Sequence, residues 1–456
     1  MSANRRSSAG WFDVIVAGGG PAGAATALAL LGGDPSLRVA VVAGHAGGSG
    51  NGETLTPNAL PLLEQLGVSA AFLDDGPLPS HGTRSCWGSE APFDNEAVFN
   101  QLGPGWRVDR GRFDALLLHE AAARGVSLYQ GATIRTVSTT DQGPWTVLVT
   151  RSEGGSTTSL AAAFLVDATG RRATLARRLG VQVTHLDRLV GLAVLFKSPP
   201  ATDGLTLVEA CDEGWWYSFA VTGPRRLVVL MSDSDLLKAR QLAVPERWHE
   251  ALSQTRLVSG PASMGVPLGP PHILPAQTRR LARFAGPGWL AVGDSATTFD
   301  PLSSQGLVKA LQSAILGSYA ARNALARDES GLHKFDRLTA QEFDAYLSAR
   351  RDFYRSEPRW AGALFWRRRH QRVTLDPQSV VRVVRDRVAW QRAGAFLSED
   401  DLTRLRGLCD GRRPAYAVVS AFRAARSGLP DERVILALQE ITTVDLVRTE
   451  EGAPPR

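Results

Sequence analysis

Gly18, Gly20 and Gly23, in the run GGGPAG, stand between a short apolar stretch, WFDVIVA, and an alanine-rich one. That order predicts a strand, a tight turn and a helix. The spacing separates the roles of the three glycines. Gly18 permits the turn, Gly20 lets backbone N–H groups approach a pyrophosphate, and Gly23 lets helix and strand pack closely. Pro21 and Ala22 complete the loop and count with the glycines as candidate cofactor-binding residues. Such a loop between strand and helix holds a dinucleotide. A second strand, LRVAVVAGHAGG, should end in an acid for the ribose hydroxyls, but it ends in Ala43, Gly44 and His45. The dinucleotide is therefore expected to be loosely held or exchangeable.

Two later stretches can return to the same place. AAAFLVDATGRRATLARRLG predicts a strand that ends in Asp167, Ala168, Thr169 and Gly170, a turn small enough to pack its backbone beside the first glycine loop. GPGWLAVGDSATTFDPLSSQGLVKALQSA predicts another buried strand, then Gly293 and Asp294, then a loop holding Asp300, Pro301 and Ser303. A long helix follows, opening near Gln305 and Gly306. Asp294 stands where a carboxylate accepts hydroxyl hydrogens from a sugar or ribityl chain. The helix aims its positive end and free N–H groups at whatever lies above it.

GGGPAG, DATG and GD with DPLSSQG, in that order, resemble the FAD-dependent monooxygenase and flavin-dependent halogenase superfamily, over the stretch from Trp11 to Asn323. The resemblance implies an α/β fold: a Rossmann-like FAD-binding domain of the class A flavoprotein monooxygenase type, an antiparallel-sheet substrate domain and a helical C-terminal region. The expected FAD-binding domain is discontinuous, comprising 1–80, 105–185 and 278–330, with the substrate domain at 81–104 and 186–277 and the C-terminal region at 331–456. FAD is the implied cofactor and O2 the oxidant. Asp167, Gly170, Gly293, Pro301, Gln305 and Gly306 join the candidate cofactor-binding residues; Asp294 would bind the ribityl chain, and the late helix would favour an anionic reduced flavin. GETLTPNALPLLEQLGV and VDRGRFDALLLHEAAARGV are similar to two further segments of halogenase-like members. They add Glu53, Thr54 and Arg110 as flavin-shell candidates. Arg110 reads nearly as well as an N-terminal helix salt bridge.

Within that superfamily, tryptophan halogenases carry a lysine before the sugar-binding helix, a Trp-x-Trp-x-Ile-Pro strand and a glutamate after "PL" in the late loop. Here HGTRSCWGSEAPFDNEAVF has no lysine, the strand reads GWWYSFAV, and Ser303 occupies the acid's place. Hypohalous acid needs both a lysine and a carboxylate, so their joint absence favours oxygen transfer from a flavin hydroperoxide. LTLVEACDEGWWYSFAVTGPRRLVVLMSD predicts three antiparallel strands, with Trp215, Tyr217 and Phe219 on one face and Trp216, Ser218 and Ala220 on the other. An aromatic face suits stacking of an indole or phenol, although each ring reads equally well as core. Arg84, Ser85 and Trp87 form a second candidate wall. The candidate catalytic residues are thus Asp300, Ser303, Trp215 and Tyr217. Among the acids nearest the motifs, Asp300 is preferred over Glu209 and Asp212 because it lies in the flavin loop, where a helix-capping role competes.

With 456 residues, 44% of them hydrophobic, the chain can bury a large core and more than one domain. No apolar run approaches a membrane span and no signal-like segment opens the sequence, so a cytoplasmic enzyme is expected. The three cysteines have no metal-ligand spacing, and no metal is expected. The formal charge of +6 is modest, and RDFYRSEPRWAGALFWRRRHQR concentrates arginines late, where a solvated face is favoured over nucleic-acid binding. YRSEPRWAGALFWRRRH is similar to segments of the flavoprotein monooxygenases of tryptophylquinone cofactor biogenesis in quinohemoprotein amine dehydrogenase. That resemblance implies a peptide or protein substrate bearing tryptophan. The segment 397–447 reads helix, helix, helix, strand, a pattern that admits a small winged-helix-like domain able to dock an acidic protein. No second glycine fingerprint marks a nicotinamide site. Reduced flavin would then come from NAD(P)H docking transiently or from a separate flavin reductase. A small-molecule hydroxylase or halogenase, and a non-catalytic FAD-fold escort, are the competing readings.

Overall fold

The computed structural model of the chain describes residues 10–44, 52–96, 101–139, 143–152, 154–199, 204–260, 265–370, 379–383, 389–390, 393–394, 396–426, 429 and 431–445. His45, where the second strand was expected to end, lies outside them. The described residues fall into two compact units, one spanning 10–183 and 187–359, the other 184–186 and 360–445.

A mixed eight-stranded sheet organises the first unit. Five of its strands are mutually parallel, in the order Trp289–Ala291, Thr157–Asp167, Trp11–Ala17, Val39–Ala43 and Ser127–Gln130. Apart from the edge strand Ser127–Gln130, they carry Val, Ile, Leu and Ala runs of the kind a sheet covered on both faces requires. The register sets Ala17 beside Asp167 and Asp167 beside Ala291. Three strands thus end side by side, and the loops after them emerge into one crevice at the C-terminal edge of the sheet, where open α/β sheets bind ligands. The helices Pro21–Gly33 and Gly306–Leu325 pack together behind that crevice.

A second eight-stranded sheet lies in the same unit. Its central path runs Val266–Pro267, Leu189–Lys197, Arg225–Asp233, Gly214–Val221, Leu205–Cys211, Gly82–Cys86 and Phe93–Glu96. The three strands expected between 205 and 233 are present and antiparallel. The sheet is not wholly antiparallel, however, because Gly82–Cys86 runs parallel to Leu205–Cys211. Between Cys86 and Leu205 the chain adds Phe93–Glu96 to this sheet, builds four strands of the first sheet and re-enters at Leu189–Lys197, a long crossover of the kind a parallel pair needs. On one face Trp216 meets Trp248 edge-on, with ring centroids 5.2 Å apart, within a cluster that includes Val194, Val228 and Leu230.

The helix Ser330–Arg355, grouped by sequence with the C-terminal region, packs beside Gly306–Leu325 in the first unit. Leu332, Phe335, Thr339, Phe343, Tyr346 and Tyr354 are its buried residues, a stripe at helical spacing that must be covered. In the second unit, the helices Glu399–Leu408, Ala415–Ala425 and Asp431–Ile441 enclose Leu405, Val418, Phe422 and Leu438. A three-stranded antiparallel sheet joins Asp410–Pro414, Val380–Val383 and Thr442–Asp445. The strand at Asp410–Pro414 was not read from DGRRP, a segment with little intrinsic strand preference. Among the described residues no helix is long and apolar enough to cross a membrane.

Candidate functional site

The loops at the sheet edge and the aromatic face of the second sheet enclose one cavity of about 880 Å³. Gly18 has φ +114°, and a Cβ there would lie 2.1 Å from the carbonyl oxygen of Ala168. A Cβ on Gly23 would lie 1.9 Å from the oxygen of Gly18, so the helix can start against the turn only with glycine here. Gly20 is different: its Cβ position meets nothing within 4 Å, and the residue faces the cavity. No side chain caps the helix Pro21–Gly33 at Gly20, and Pro21 and Ala22 join the lining. An open cradle at the start of a helix is what a dinucleotide pyrophosphate fits.

Asp167 and Gly23 are not on the cavity wall. The Asp167 carboxylate accepts hydrogen bonds from Thr169 N at 2.9 Å, the Thr169 hydroxyl at 2.6 Å and Ala176 N at 2.8 Å. It therefore shapes the turn that presents Gly170, which does line the cavity. Gly293 is also set back. Its φ is +57°, a Cβ would come within 2.7 Å of the Ala22 Cβ, and its N–H donates to Ser313 Oγ at 2.8 Å. That close approach aims Asp294 at the cavity. Lys309 Nζ donates to Asp294 Oδ1 at 2.9 Å and also to the carbonyl of Thr297, while Arg171 Nε lies 3.5 Å from Asp294 Oδ2. Burial works to raise the Asp294 pKa, but Lys309 and Arg171 outweigh it and hold the carboxyl below its ordinary range. Lys309 is 2% exposed and sits 4.6 Å from the centre of the Phe299 ring.

Glu53 and Thr54 enter on the short strand Gly52–Leu55, paired with Gly105–Asp109. Arg110 Nη1 donates to Glu53 Oε2 at 2.6 Å, and its other nitrogens reach Asp114 at 3.2 Å. Arg110 is thus both a helix salt bridge and a cavity residue. Burial alone would lower its pKa, yet Glu53 and Asp114 raise it, so the guanidinium stays charged. Glu53 Oε1 lies 3.4 Å from the Cβ position of Gly306, and so stands by the opening of the late helix.

Alternation divides the central strand of the second sheet between two environments. Trp215, Tyr217 and Phe219 line the cavity, with centroids 5.5 Å apart for the first pair and 6.1 Å for the second. Trp216 turns into the core. Burial, with Glu53 nearby, pushes the Tyr217 phenol pKa up, so it stays protonated. The second candidate wall is absent from the lining. Arg84 is committed to Asp94 through two 2.7 Å bonds, and the Trp87 indole donates to Phe353 O and Ser356 Oγ at 3.2 Å, away from the cavity; Ser85 does not line it. Glu209 is excluded as an acid, since its carboxylate accepts from the backbone N–H groups of Arg256, Leu257 and Val258. Asp212 is not in the lining either.

Asp300 is on the cavity wall and 1% exposed. Its Oδ1 accepts from Leu302 N at 3.0 Å, which is the capping role, and its Oδ2 accepts from the Tyr354 hydroxyl at 2.7 Å. Arg350 Nε lies 3.3 Å from Oδ2, and Arg350 Nη2 pairs with Asp187 at 2.8 Å. Burial raises the Asp300 pKa and is only partly offset by Arg350. Pro301 and Gly306 also line the cavity, but Ser303 and Gln305 do not. Ser303, proposed from sequence as a catalytic residue, turns its hydroxyl onto the Asp300 carbonyl at 3.0 Å and braces the turn. Ser304, at φ +49°, faces the cavity in its place.

Sequence reasoning missed Lys309, Arg171 and the trio Tyr346, Arg350 and Tyr354. The trio had a signal: its spacing of i, i+4, i+8 in YLSARRDFY puts all three on one helix face. Arg135, Arg172 and Arg178 line the cavity as well. They bring positive charge to a site whose second strand offers no acid.

The family model described as FAD binding domain matches residues 12–331. LodB of Marinomonas mediterranea, whose name assigns it to the FAD-dependent oxidoreductases, is 28% identical over 362 residues, covering 79% of this chain and 97% of its own. The tryptophan 2-halogenase of Chondromyces crocatus is 27% identical over 344 residues, covering 72% of this chain and 63% of its own. Among solved structures, the myxobacterial chondrochloren halogenase CndH matches with a TM-score of 0.72 at 20% identity, over 95% of this chain and 97% of its own. The peptidyl tryptophan dihydroxylase QhpG, described as essential for tryptophylquinone cofactor biogenesis, matches with a TM-score of 0.65 at 24% identity, over 93% and 97%. At these identities the structural matches establish a shared fold.

Proposed function

The chain belongs to the FAD-binding-domain family and is a flavin-dependent oxidoreductase, and from that premise we propose that it is a monooxygenase hydroxylating an aromatic ring, namely a tryptophan side chain of a peptide or protein during tryptophylquinone maturation. The observation that carries this reading is the single cavity, shared by the glycine cradle, the opening of the helix Gly306–Leu325 and the aromatic face of Trp215, Tyr217 and Phe219. QhpG, of the same fold, acts on a peptidyl tryptophan. On this reading 1–80, 105–185 and 278–330 hold FAD, 81–104 and 186–277 cover the substrate, and 331–456 serve the polypeptide partner.

FAD bound in this cavity would supply the activation of O2, with one oxygen atom going to the ring, the other to water, and two electrons drawn from NAD(P)H directly or through a flavin reductase. The protein's residues do the rest. Backbone N–H groups at the start of the helix Pro21–Gly33 would hold the pyrophosphate, and Asp294, fixed by Lys309, would accept from ribityl hydroxyls. The aromatic face orients the ring and excludes water, and the Asp300 carboxyl holds or releases a proton at the cavity wall.

Halogenation is the second reading, favoured by the relatives named as halogenases. Both readings are tested by giving the FAD-loaded, reduced protein a tryptophan-bearing polypeptide, ¹⁸O2 and bromide, followed by mass spectrometry of the product. One or more ¹⁸O atoms on tryptophan is the expected result, bromine on the ring would establish halogenation instead, and unmodified tryptophan in every polypeptide and free indole tried would overturn both.

A further inference from the structure

Resting on that reading of the cavity, we propose that Trp215, Tyr354 and Asp300 form a hydrogen-bond chain of fixed direction, through which the substrate-facing wall sets the proton affinity of Asp300. Trp215 Nε1 donates to the Tyr354 hydroxyl oxygen at 3.0 Å, and that hydroxyl donates to Asp300 Oδ2 at 2.7 Å. An indole nitrogen is a donor only, so its hydrogen occupies the tyrosine oxygen and leaves the single tyrosine hydrogen aimed at the carboxylate. A proton on Oδ2 would face that hydrogen. The chain therefore favours ionised Asp300.

The other groups around Asp300 divide between its two states. Arg350 and the Leu302 N–H favour the carboxylate. Burial favours the acid, as does Asp187, whose charge Arg350 must share. Tyr346, from the same helix face, accepts the Asp300 backbone N–H at 2.6 Å and fixes the main chain rather than the carboxyl. Among these opposing influences, one hydrogen bond to the charged form shifts the balance toward the carboxylate. Trp215 is the member of the set that also belongs to the aromatic wall. A ring stacked on that wall reaches the acid through Tyr354 without touching it. Tyr354 is accordingly a positioning residue, and so is Trp215 in this second role.

The test uses full-length protein without flavin, so that it stands apart from turnover. Infrared spectra recorded across a pH series follow the protonated-carboxyl band of Asp300, recognised as an aspartate by its shift on carboxyl-¹³C aspartate labelling and as Asp300 by its loss in D300N, or in D300S if D300N does not fold. W215F keeps a ring but removes the N–H, and Y354F removes the hydroxyl. Both should move the midpoint of the band up by about one pH unit, a roughly tenfold change in proton affinity, and W215F/Y354F should move it no further than Y354F alone. A midpoint that W215F leaves at the wild-type value while Y354F shifts it would overturn the chain, as would additive shifts in the double variant. Absence of oxygen insertion into tryptophan would defeat the functional reading and leave this titration unaffected.

Discussion

Lys309 shows how much of this site depends on a residue that looks unremarkable in sequence. It is a buried cation on the first turns of the helix Gly306–Leu325, and it is spent on Asp294 and the Thr297 carbonyl. Charge-assisted bonds of this kind contribute more than neutral ones because the low dielectric of the interior leaves the charges unscreened. K309M would leave Asp294 with Arg171 alone on one side, free to turn from the cavity. FAD affinity is expected to fall by about ten- to a hundredfold, the equivalent of one charged hydrogen bond, while the fold persists; flavin fluorescence titration with circular dichroism checks both. Gly18, Gly20 and Gly23 were legible in the sequence because their constraint is local backbone geometry. For Asp167 the sequence showed that it ends a strand, but not that three donors from the following turn and helix take up its carboxylate.

At the scale of elements, two periodicities carry the site. Period two along Gly214–Val221 separates the cavity wall from the core, and it was readable because strand geometry leaves no other assignment of faces. Period 3.6 along Ser330–Arg355 delivers Tyr346, Arg350 and Tyr354 to Asp300, and it was not used, because nothing in one helix says which loop it will cover. Arg350 joins Asp300 to Asp187, so its removal leaves the buried Asp300 and the half-buried Asp187 without their cation. R350M is expected to destabilise the protein by about 3–5 kcal/mol, the usual loss when one partner of a buried pair is deleted; thermal or urea unfolding measures it, and a change below about 1 kcal/mol would show the pair to be solvated.

At the scale of the whole molecule, the two units have separate cores, and every residue assigned to the cavity lies in the first. Removing 360–456 is therefore expected to leave FAD binding within about threefold of the full chain, since no binding contact is lost, whereas a loss of tenfold or more needs about 1.4 kcal/mol from that segment. If the second unit serves the polypeptide partner, the truncated protein should also lose action on tryptophan in a protein while keeping any action on free indole, and product analysis of the two substrates separates these outcomes. A basic chain meeting an acidic partner should further show association that weakens with added salt.

Read alone, the sequence determined the dinucleotide cradle, the two later motifs that return to it and the two faces of the aromatic strand, because each follows from backbone sterics or a fixed repeat within a few residues. Only the tertiary structure decided which of Glu209, Asp212 and Asp300 faces the cavity. It tied Glu209 to backbone amides, turned Ser303 onto its own loop, and set Asp300 beneath a helix that begins thirty residues later. Such choices depend on which distant groups arrive at a side chain, and the free energy of a buried carboxylate is dominated by those arrivals.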